Sequence, residues 1–133
     1  MNDYYIDNGF EQYRSVDLEA RAAAASPYEL VLVLFDGLVD ELARVRGHIE
    51  AKRFEHKGAS IEKCINILNG LNGVLDVDQG GEVVAGLARL YDYCIYRLSE
   101  VSVSLSLREL DEVVELVGTL REGWHGVNAA RQS

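Results

Sequence analysis

Apolar residues recur at helical spacing along most of this chain, and the first long stretch of them exceeds what one helix face can hold. Ser26 is followed by Pro27 and, three places after the serine, by Glu29, which is the pattern of a capping box that begins a helix. The residues from Leu30 to Phe35 are then all apolar, so this helix has two apolar faces. We expect one face to build a core and the other to receive a partner.

The first helix is predicted to run from Pro27 to about Lys52. A helical wheel separates its apolar residues into a broad core face and a narrower stripe outside it. The core face contains Leu30, Val31, Leu34, Phe35, Leu38, Leu42, Val45 and Ile49. The second stripe contains Leu32, Val39 and Ala43.

Three further helices are predicted from capping signals and heptad spacing. A polar connection over residues 53–60, capped by Ser60, leads into the second helix, and a glycine turn over residues 76–82 leads into the third. Ser106 and Glu109 form a second capping box before the fourth. The core seams of these helices are Ile61, Cys64, Leu68, Leu71 and Leu75, then Leu87, Tyr91, Cys94, Leu98, Val101 and Leu105, then Leu110, Val113, Val114, Val117, Leu120 and Trp124.

Apolar residues outside the seams recur in the second and third helices. Ile67 and Val74 lie to one side of the second seam, and Tyr93 and Tyr96 project from the third helix where a monomer would normally carry charge. The pattern of two apolar faces is therefore repeated.

Helices with short connections favour an all-α antiparallel four-helix bundle with an N-terminal arm or short cap helix. Residues 1–25 are predicted to form the arm, residues 26–125 the bundle, and residues 126–133 a frayed C-terminus. Phe10 and Tyr13 lie about one turn apart in the arm and would form an apolar patch on one side of a helix. A mobile tail is the alternative interpretation of the arm.

Charge and hydropathy narrow the classes of partner. The 133 residues fit one domain, and a formal charge of −9, from 22 acidic and 13 basic residues, repels nucleic-acid phosphates and anionic lipid surfaces. The N-terminus lacks the basic and apolar regions of a signal peptide, and no apolar run reaches the roughly eighteen residues of a membrane span. We expect a cytoplasmic protein without nucleic-acid binding or membrane insertion.

No set of residues converges on catalysis. Glu122 and His125 form one Glu-x-x-His motif, whereas a di-iron bundle requires two. The sequence from Asp76 is similar to the start of a calcium loop, but Leu87 stands where a glutamate should close it. We therefore expect neither an enzyme nor a metal or other cofactor.

The cysteines and histidines are given structural interpretations. Cys64 and Cys94 lie on buried stripes without a C-x-x-C pair, which predicts reduced core thiols. The histidines lack the spacing of zinc ligands and are predicted to be surface residues. They are His48, His56 and His125.

A series of short motifs in fixed order resembles a known family, the flagellar secretion chaperones of the FliS type. The motifs are Tyr13, then SPYEL at 26–30, LFDG at 34–37, Lys57 with Ile61, Lys63 and Ile67, LD at 75–76, GE at 81–82, LYDY at 90–93, Leu98, and LREGW at 120–124. The resemblance covers nearly the whole chain.

This resemblance implies an antiparallel helical bundle that binds the disordered C-terminal segment of flagellin in the cytosol. Binding would prevent premature polymerisation and keep flagellin competent for flagellar type III export. The resemblance also implies an arm near Phe10 and Tyr13 that covers part of the client groove, and it adds export-gate and flagellar regulatory proteins to the candidate partners. It assigns to the shared surface or its support Tyr13, Leu34, Asp36, Ile67, Tyr91 and Tyr93.

The helical wheel places Leu34 and Tyr91 in the core, so the predicted client contacts come from the second stripes and the arm. They are Phe10, Tyr13, Leu32, Val39, Ile67, Val74, Tyr93 and Tyr96. For each residue the alternative is an isolated apolar side chain on an ordinary surface. For the whole protein the alternative is a homodimeric assembly module, in which the second stripes close a symmetric interface and no disordered client is bound.

Overall fold

The computed structural model describes residues 26–75 and 77–132, except for the side chains at 27, 77–80 and 127–132. The described residues form four helices: α1 (Pro27–Glu50), α2 (Phe54–Val74), α3 (Val77–Ser104) and α4 (Leu107–Gln132). Each helix packs on two neighbours, in the closed order α1, α2, α3, α4 and back to α1. The predicted all-α antiparallel bundle is confirmed. The predicted arm, with Phe10 and Tyr13, lies outside the described residues.

The start of α1 follows from its capping box. The Ser26 hydroxyl accepts a hydrogen bond from the Glu29 amide at 3.3 Å, and the Glu29 carboxylate accepts one from the Ser26 amide at 3.4 Å. At the other end, the Ala51 amide donates to the Gly47 carbonyl at 3.0 Å, and Lys52 adopts a φ of 59°. A left-handed residue at this position ends the helix two residues earlier than the sequence suggested.

The core consists of the inward faces of all four helices. The rings of Phe35 and Tyr91 approach across it from α1 and α3, with centroids 6.3 Å apart. Leu34 packs partly buried against this cluster, and Tyr91 is buried, as the helical wheel predicted. The fully buried side chains include Leu38, Leu42, Val45, Leu68, Leu71, Leu98, Val101, Leu110, Val113 and Val117.

The predicted polar connection over residues 53–60 is wrong. Helix α2 begins at Phe54, and Ser60 is a buried residue inside the helix instead of its cap. Lys57 is also buried, and its ammonium donates a hydrogen bond to the Ser102 carbonyl at the end of α3, 2.7 Å away. Because that carbonyl satisfies the charge, a residue type that normally marks the surface lies inside the bundle.

The turn before α3 is shorter than predicted. Helical structure begins at Val77 and is interrupted at Gly81, which has a φ of 60° and a ψ of −142°. Only glycine adopts such a conformation without strain, so the prediction that a glycine here takes positive φ is confirmed.

The start of α4 differs from a reciprocal capping box. The Ser106 hydroxyl accepts from the Glu109 amide at 3.1 Å, but the Glu109 carboxylate accepts from the Ser104 hydroxyl at 2.9 Å. Ser104 in turn accepts from the Ser106 amide at 3.2 Å. At its far end α4 continues past Gly126, where the sequence predicted fraying, to Gln132.

The interpretations of the cysteines and histidines have different outcomes. Cys64 and Cys94 are free and buried, and burial raises the pKa of the Cys64 thiol and that of Cys94, the latter to about 11. The predicted surface position of His48 is wrong, because its ring is buried, lies 5.3 Å from the ring of His56, and accepts a hydrogen bond at Nδ1 from Arg53. The bond from Arg53 gives the buried Nδ1 a partner inside the protein.

Candidate binding groove between the first and last helices

Two ion pairs fix how α1 lies against α4. Arg121 Nε of α4 is 2.7 Å from Asp36 Oδ1 of α1, and Arg46 of α1 pairs with Asp111 of α4. Low-numbered residues of α1 therefore face high-numbered residues of α4, so the two helices are antiparallel. From Asp36 to Arg46 the helix rises about 15 Å.

Between these ion pairs the two helices carry small or apolar residues that are exposed or partly exposed to solvent. On α1 these are Val39, which is 38% exposed, and the exposed Ala43; on α4 they are Val114, also 38% exposed, and Gly118. We call these four residues the α1/α4 strip. A Cβ added to Gly118 would meet nothing within 4 Å, so the strip has open space above that position.

Val114 was missed by the sequence interpretation, which counted it in the core seam of the fourth helix. Its neighbour Val113 is buried, whereas Val114 is turned about 100° away from it and stays exposed. The available signal was the spacing of Asp111, Val114, Gly118 and Arg121, which places them on one side of a helix. That signal becomes informative only when α1 is known to lie on that side.

The opposite side of α1 packs against α2. The Leu34 methyl groups lie 3.8 and 4.0 Å from the point where a Cβ on Gly70 would stand, so the helices are in van der Waals contact there. Further along, Glu41 is buried, with its carboxylate 3.6 Å from Arg44 and 3.9 Å from Lys63.

The described residues among the predicted client contacts do not lie together. Leu32 is half-buried on the same side of α1 as Val39, about two turns away. Ile67 and Val74 follow Lys63 at helical spacing, so they lie on the side of α2 that faces α1, where both pack partly buried against the core. Among these described residues, Val39 belongs to the α1/α4 strip and Leu32 lies beside it.

Tyr93 and Tyr96, the two predicted client contacts on α3, have separate environments. Tyr93 donates a hydrogen bond to Glu112 of α4, and Arg97 donates to the same carboxylate at 2.8 Å. The bond from Tyr93, with help from Arg97, holds the pKa of Glu112 below its usual value, and the same bond raises the pKa of Tyr93. Tyr96 is 61% exposed, and no contact places it beside the strip.

An aromatic cluster fixes the end of the bundle next to the strip. The rings of Tyr28 and Trp124 meet edge to face, with centroids 5.7 Å apart, and the Trp124 indole donates to the Tyr91 hydroxyl. Burial raises the pKa of Tyr91. The start of α1 is thereby joined through Trp124 to the core residue Tyr91 of α3.

The lining of the strip offers contact area and no reactive group. Its four residues carry no nucleophile, acid or base, and no group of three or more histidine, cysteine, aspartate or glutamate side chains in the described part of the chain could hold a metal ion. None of the helices the structure describes is long and apolar enough to span a bilayer. An apolar strip between two helices of a bundle is typical of proteins that bind a partner through hydrophobic contact.

The particular family follows from sequence comparison. The sequence profile of the FliS family, described as flagellar protein FliS, matches residues 9–131, and the chain belongs to this family. It is 38% identical to the flagellar secretion chaperone FliSB of Pseudomonas aeruginosa, over 93% of this chain and 98% of that protein. It is 35% identical to the flagellar secretion chaperone FliS of Salmonella typhimurium, over 93% of each chain.

Comparison with solved structures shows that the fold is shared as well. A bacterial flagellar chaperone of known crystal structure superimposes with a TM-score of 0.73 at 17% identity, covering 81% of this chain and 88% of the other. The predicted resemblance to the flagellar secretion chaperones is confirmed. Because the relatives are named as chaperones, the prediction that the protein is a chaperone of flagellar assembly and not an enzyme is confirmed as well.

Proposed function

We propose that this protein is a cytosolic export chaperone that holds the disordered C-terminal segment of flagellin in apolar grooves. It prevents premature polymerisation and keeps flagellin competent for flagellar type III secretion. The α1/α4 strip, together with Leu32, is the part of the surface that receives the segment. The main support is the exposure of Val39 and Val114 beside the open space over Gly118.

Hydrophobic burial supplies the driving force. Each Å² of apolar surface removed from water contributes about 25 cal/mol. A segment that folds on binding buries roughly 1,000–3,000 Å², against an ordering cost of several kcal/mol. This balance leaves a useful affinity without any nucleotide or cofactor.

The remaining predicted contacts are assigned to other parts of client binding. Tyr93, Tyr96 and the partly buried Ile67 and Val74 are candidates for other parts of a long client segment. The side chain of Tyr93 is 40% exposed, while its hydroxyl donates to Glu112. The arm of residues 1–25 is proposed to cover part of the groove. Deleting residues 1–12 should then raise client affinity in calorimetry, and a loss of affinity would instead make the arm part of the site.

The test is isothermal titration calorimetry with a peptide of the flagellin C-terminal segment from the same organism. Val39→Asp should weaken binding at least tenfold, because it places a charge where an apolar side chain must dock. Val103→Asp is the matched control, because this valine lies on α3, outside the strip, and is 86% exposed. The control should bind as the unchanged protein does.

The rival function is a homodimer closed by the same residues. Light scattering of the purified protein distinguishes the two. A monomer that binds the flagellin segment supports the chaperone proposal. A stable dimer that ignores flagellin, and that Val39→Asp converts to a monomer, would overturn it in favour of an assembly module.

A further inference from the structure

We propose that the segment held in the α1/α4 strip carries lysine or arginine side chains along the flanks of its apolar face. This inference rests on the proposed function, because it describes the chemistry of the client at the same groove. It goes beyond that function by stating which of two equally apolar segments the groove prefers.

The edge of α4 that borders the strip is acidic. Asp111, Glu115 and Glu122 recur at helical spacing along this edge, with Gly118 between them. Glu115 and Glu122 are both exposed. Glu115 directly follows Val114 of the strip, and Glu122 directly follows Arg121, which pairs with Asp36. Any segment lying over Gly118 therefore passes two exposed carboxylates on the α4 side.

The α1 edge adds negative charge of its own. Glu50 is exposed one turn beyond Arg46, on the side of α1 that faces α4. Glu29, also exposed, lies in the first turn of the same helix, near the opposite end of the groove. The carboxylates thus occur on both helices and toward both ends of the strip.

The two cations of the groove are already paired. Arg46 pairs with Asp111 and Arg121 pairs with Asp36, so the positive charge of each guanidinium is neutralised by a carboxylate of the neighbouring helix. Between these two pairs the exposed charged residues of α1 and α4 are carboxylates. Their charge agrees in sign with the formal charge of −9 for the chain, but here it stands beside an apolar surface that a segment can cover.

A segment in this position would feel these carboxylates at close range. Screening by salt acts over about 10 Å at 0.1 M, which exceeds the distance across one helix edge. Charges around an apolar contact raise the association rate of oppositely charged partners and disfavour like-charged ones. The groove should therefore select basic flanks through electrostatics and an apolar face through burial.

The first test uses two synthetic amphipathic peptides with identical apolar positions, one with lysine and one with glutamate at the flanking positions. Calorimetry should show the lysine peptide binding at least tenfold tighter at 50 mM NaCl, with the ratio falling toward one at 500 mM. Loss of binding in Val39→Asp places the peptides in the strip. Equal affinities at low salt, or tighter binding of the glutamate peptide, would overturn the inference.

The second test moves the charge on the protein. Glu115→Lys with Glu122→Lys should remove the preference for the lysine peptide, weakening its binding roughly 3- to 10-fold at low salt. The matched control is Glu55→Lys with Glu62→Lys, which makes the same change in net charge at two exposed positions on α2. The control should keep the preference. An equal loss in both variants would mean that total charge, and not the groove edge, is recognised, and would overturn the inference.

These outcomes are separable from those of the proposed function. If Val39→Asp abolishes flagellin binding while neither salt nor the Glu115 and Glu122 changes alter it, the proposed function stands and this inference fails. If the peptides are discriminated as expected but the flagellin segment does not bind, the groove chemistry stands and the choice of client fails.

Discussion

Helix α1 meets α2 on one side and α4 on the other, and the two interfaces are built differently. Against α2, Leu34 packs over Gly70, and the carboxylate of Glu41 is buried near Lys63. Against α4, ion pairs lie at the two ends and the apolar residues between them remain exposed. The surplus of apolar residues in α1 is therefore divided between an interface that stabilises the bundle and a surface that stays open.

The largest expected effect comes from placing the same charge on the two sides of α1. Leu34→Asp should lower the free energy of unfolding by about 3 kcal/mol or more, because its carboxylate would be forced against the core. Val39→Asp should cost about 0.5 kcal/mol, since it stays in contact with water. Urea unfolding followed by circular dichroism measures both, and equal losses would remove the distinction between the two interfaces.

A smaller difference is expected between the acidic residues of the two interfaces. Glu41→Ala should destabilise the protein by about 1–2 kcal/mol, because Glu41 is buried and its removal leaves Arg44 and Lys63 without a shared partner. Asp36→Ala breaks a half-exposed pair with Arg121 and should cost about 0.5 kcal/mol. The same denaturation series compares them, and a larger cost for Asp36 would mean that the open groove is held together by its ion pairs.

The open space over Gly118 allows a change that should stabilise the protein. Gly118→Ala adds a Cβ that meets nothing within 4 Å and favours the helical backbone, so it should raise the free energy of unfolding by about 0.8 kcal/mol. Gly118→Leu should retain most of this gain and reduce client binding, since its side chain would occupy the groove. A destabilised Gly118→Ala variant would show that the groove is already filled.

The smallest effect concerns the other side of α4, which α3 covers. The depressed pKa of Glu112 contributes stability above its unfolded value and loses it as pH falls through the folded value; the raised pKa of Tyr93 contributes below its unfolded value and is lost as pH rises through the folded one. Tyr93→Phe should therefore flatten the dependence of the melting temperature on pH at both the acidic and the alkaline end. Scanning calorimetry between pH 3 and 11 would detect it, and an unchanged profile would contradict the role of this bond.

The fold could be predicted from the sequence because each helix carries its own signals. The capping box at Ser26 and the seam through Cys94 and Leu98 depend on local spacing, which is already present in the chain. The start of α2 could not be predicted, because the burial of Lys57 depends on a carbonyl at Ser102, which only the folded bundle brings near.

The groove was predicted only in part, because its composition depends on which helices are neighbours in the folded bundle. Helical spacing shows that Val39, Ile67 and Tyr93 lie away from the core seam, but it does not show which neighbouring helix stands on that side. The order of the four helices around the bundle decides this, and it places Ile67 toward α2's contact with α1 and Tyr93 against Glu112. Val114 was overlooked because it was counted in the seam beside Val113, although the 3, 4, 3, 4 spacing of Leu110, Val113, Val117, Leu120 and Trp124 leaves it outside.

The most direct measurement of the central claim is photo-crosslinking from within the groove. A benzophenone amino acid placed at Val114 should crosslink to the flagellin C-terminal segment in high yield, and the same group at the exposed Val103 should crosslink little. Gly118→Leu should suppress the crosslink from position 114. Equal yields from the two positions, or a strong crosslink from 103 alone, would contradict the assignment of the client to the α1/α4 strip.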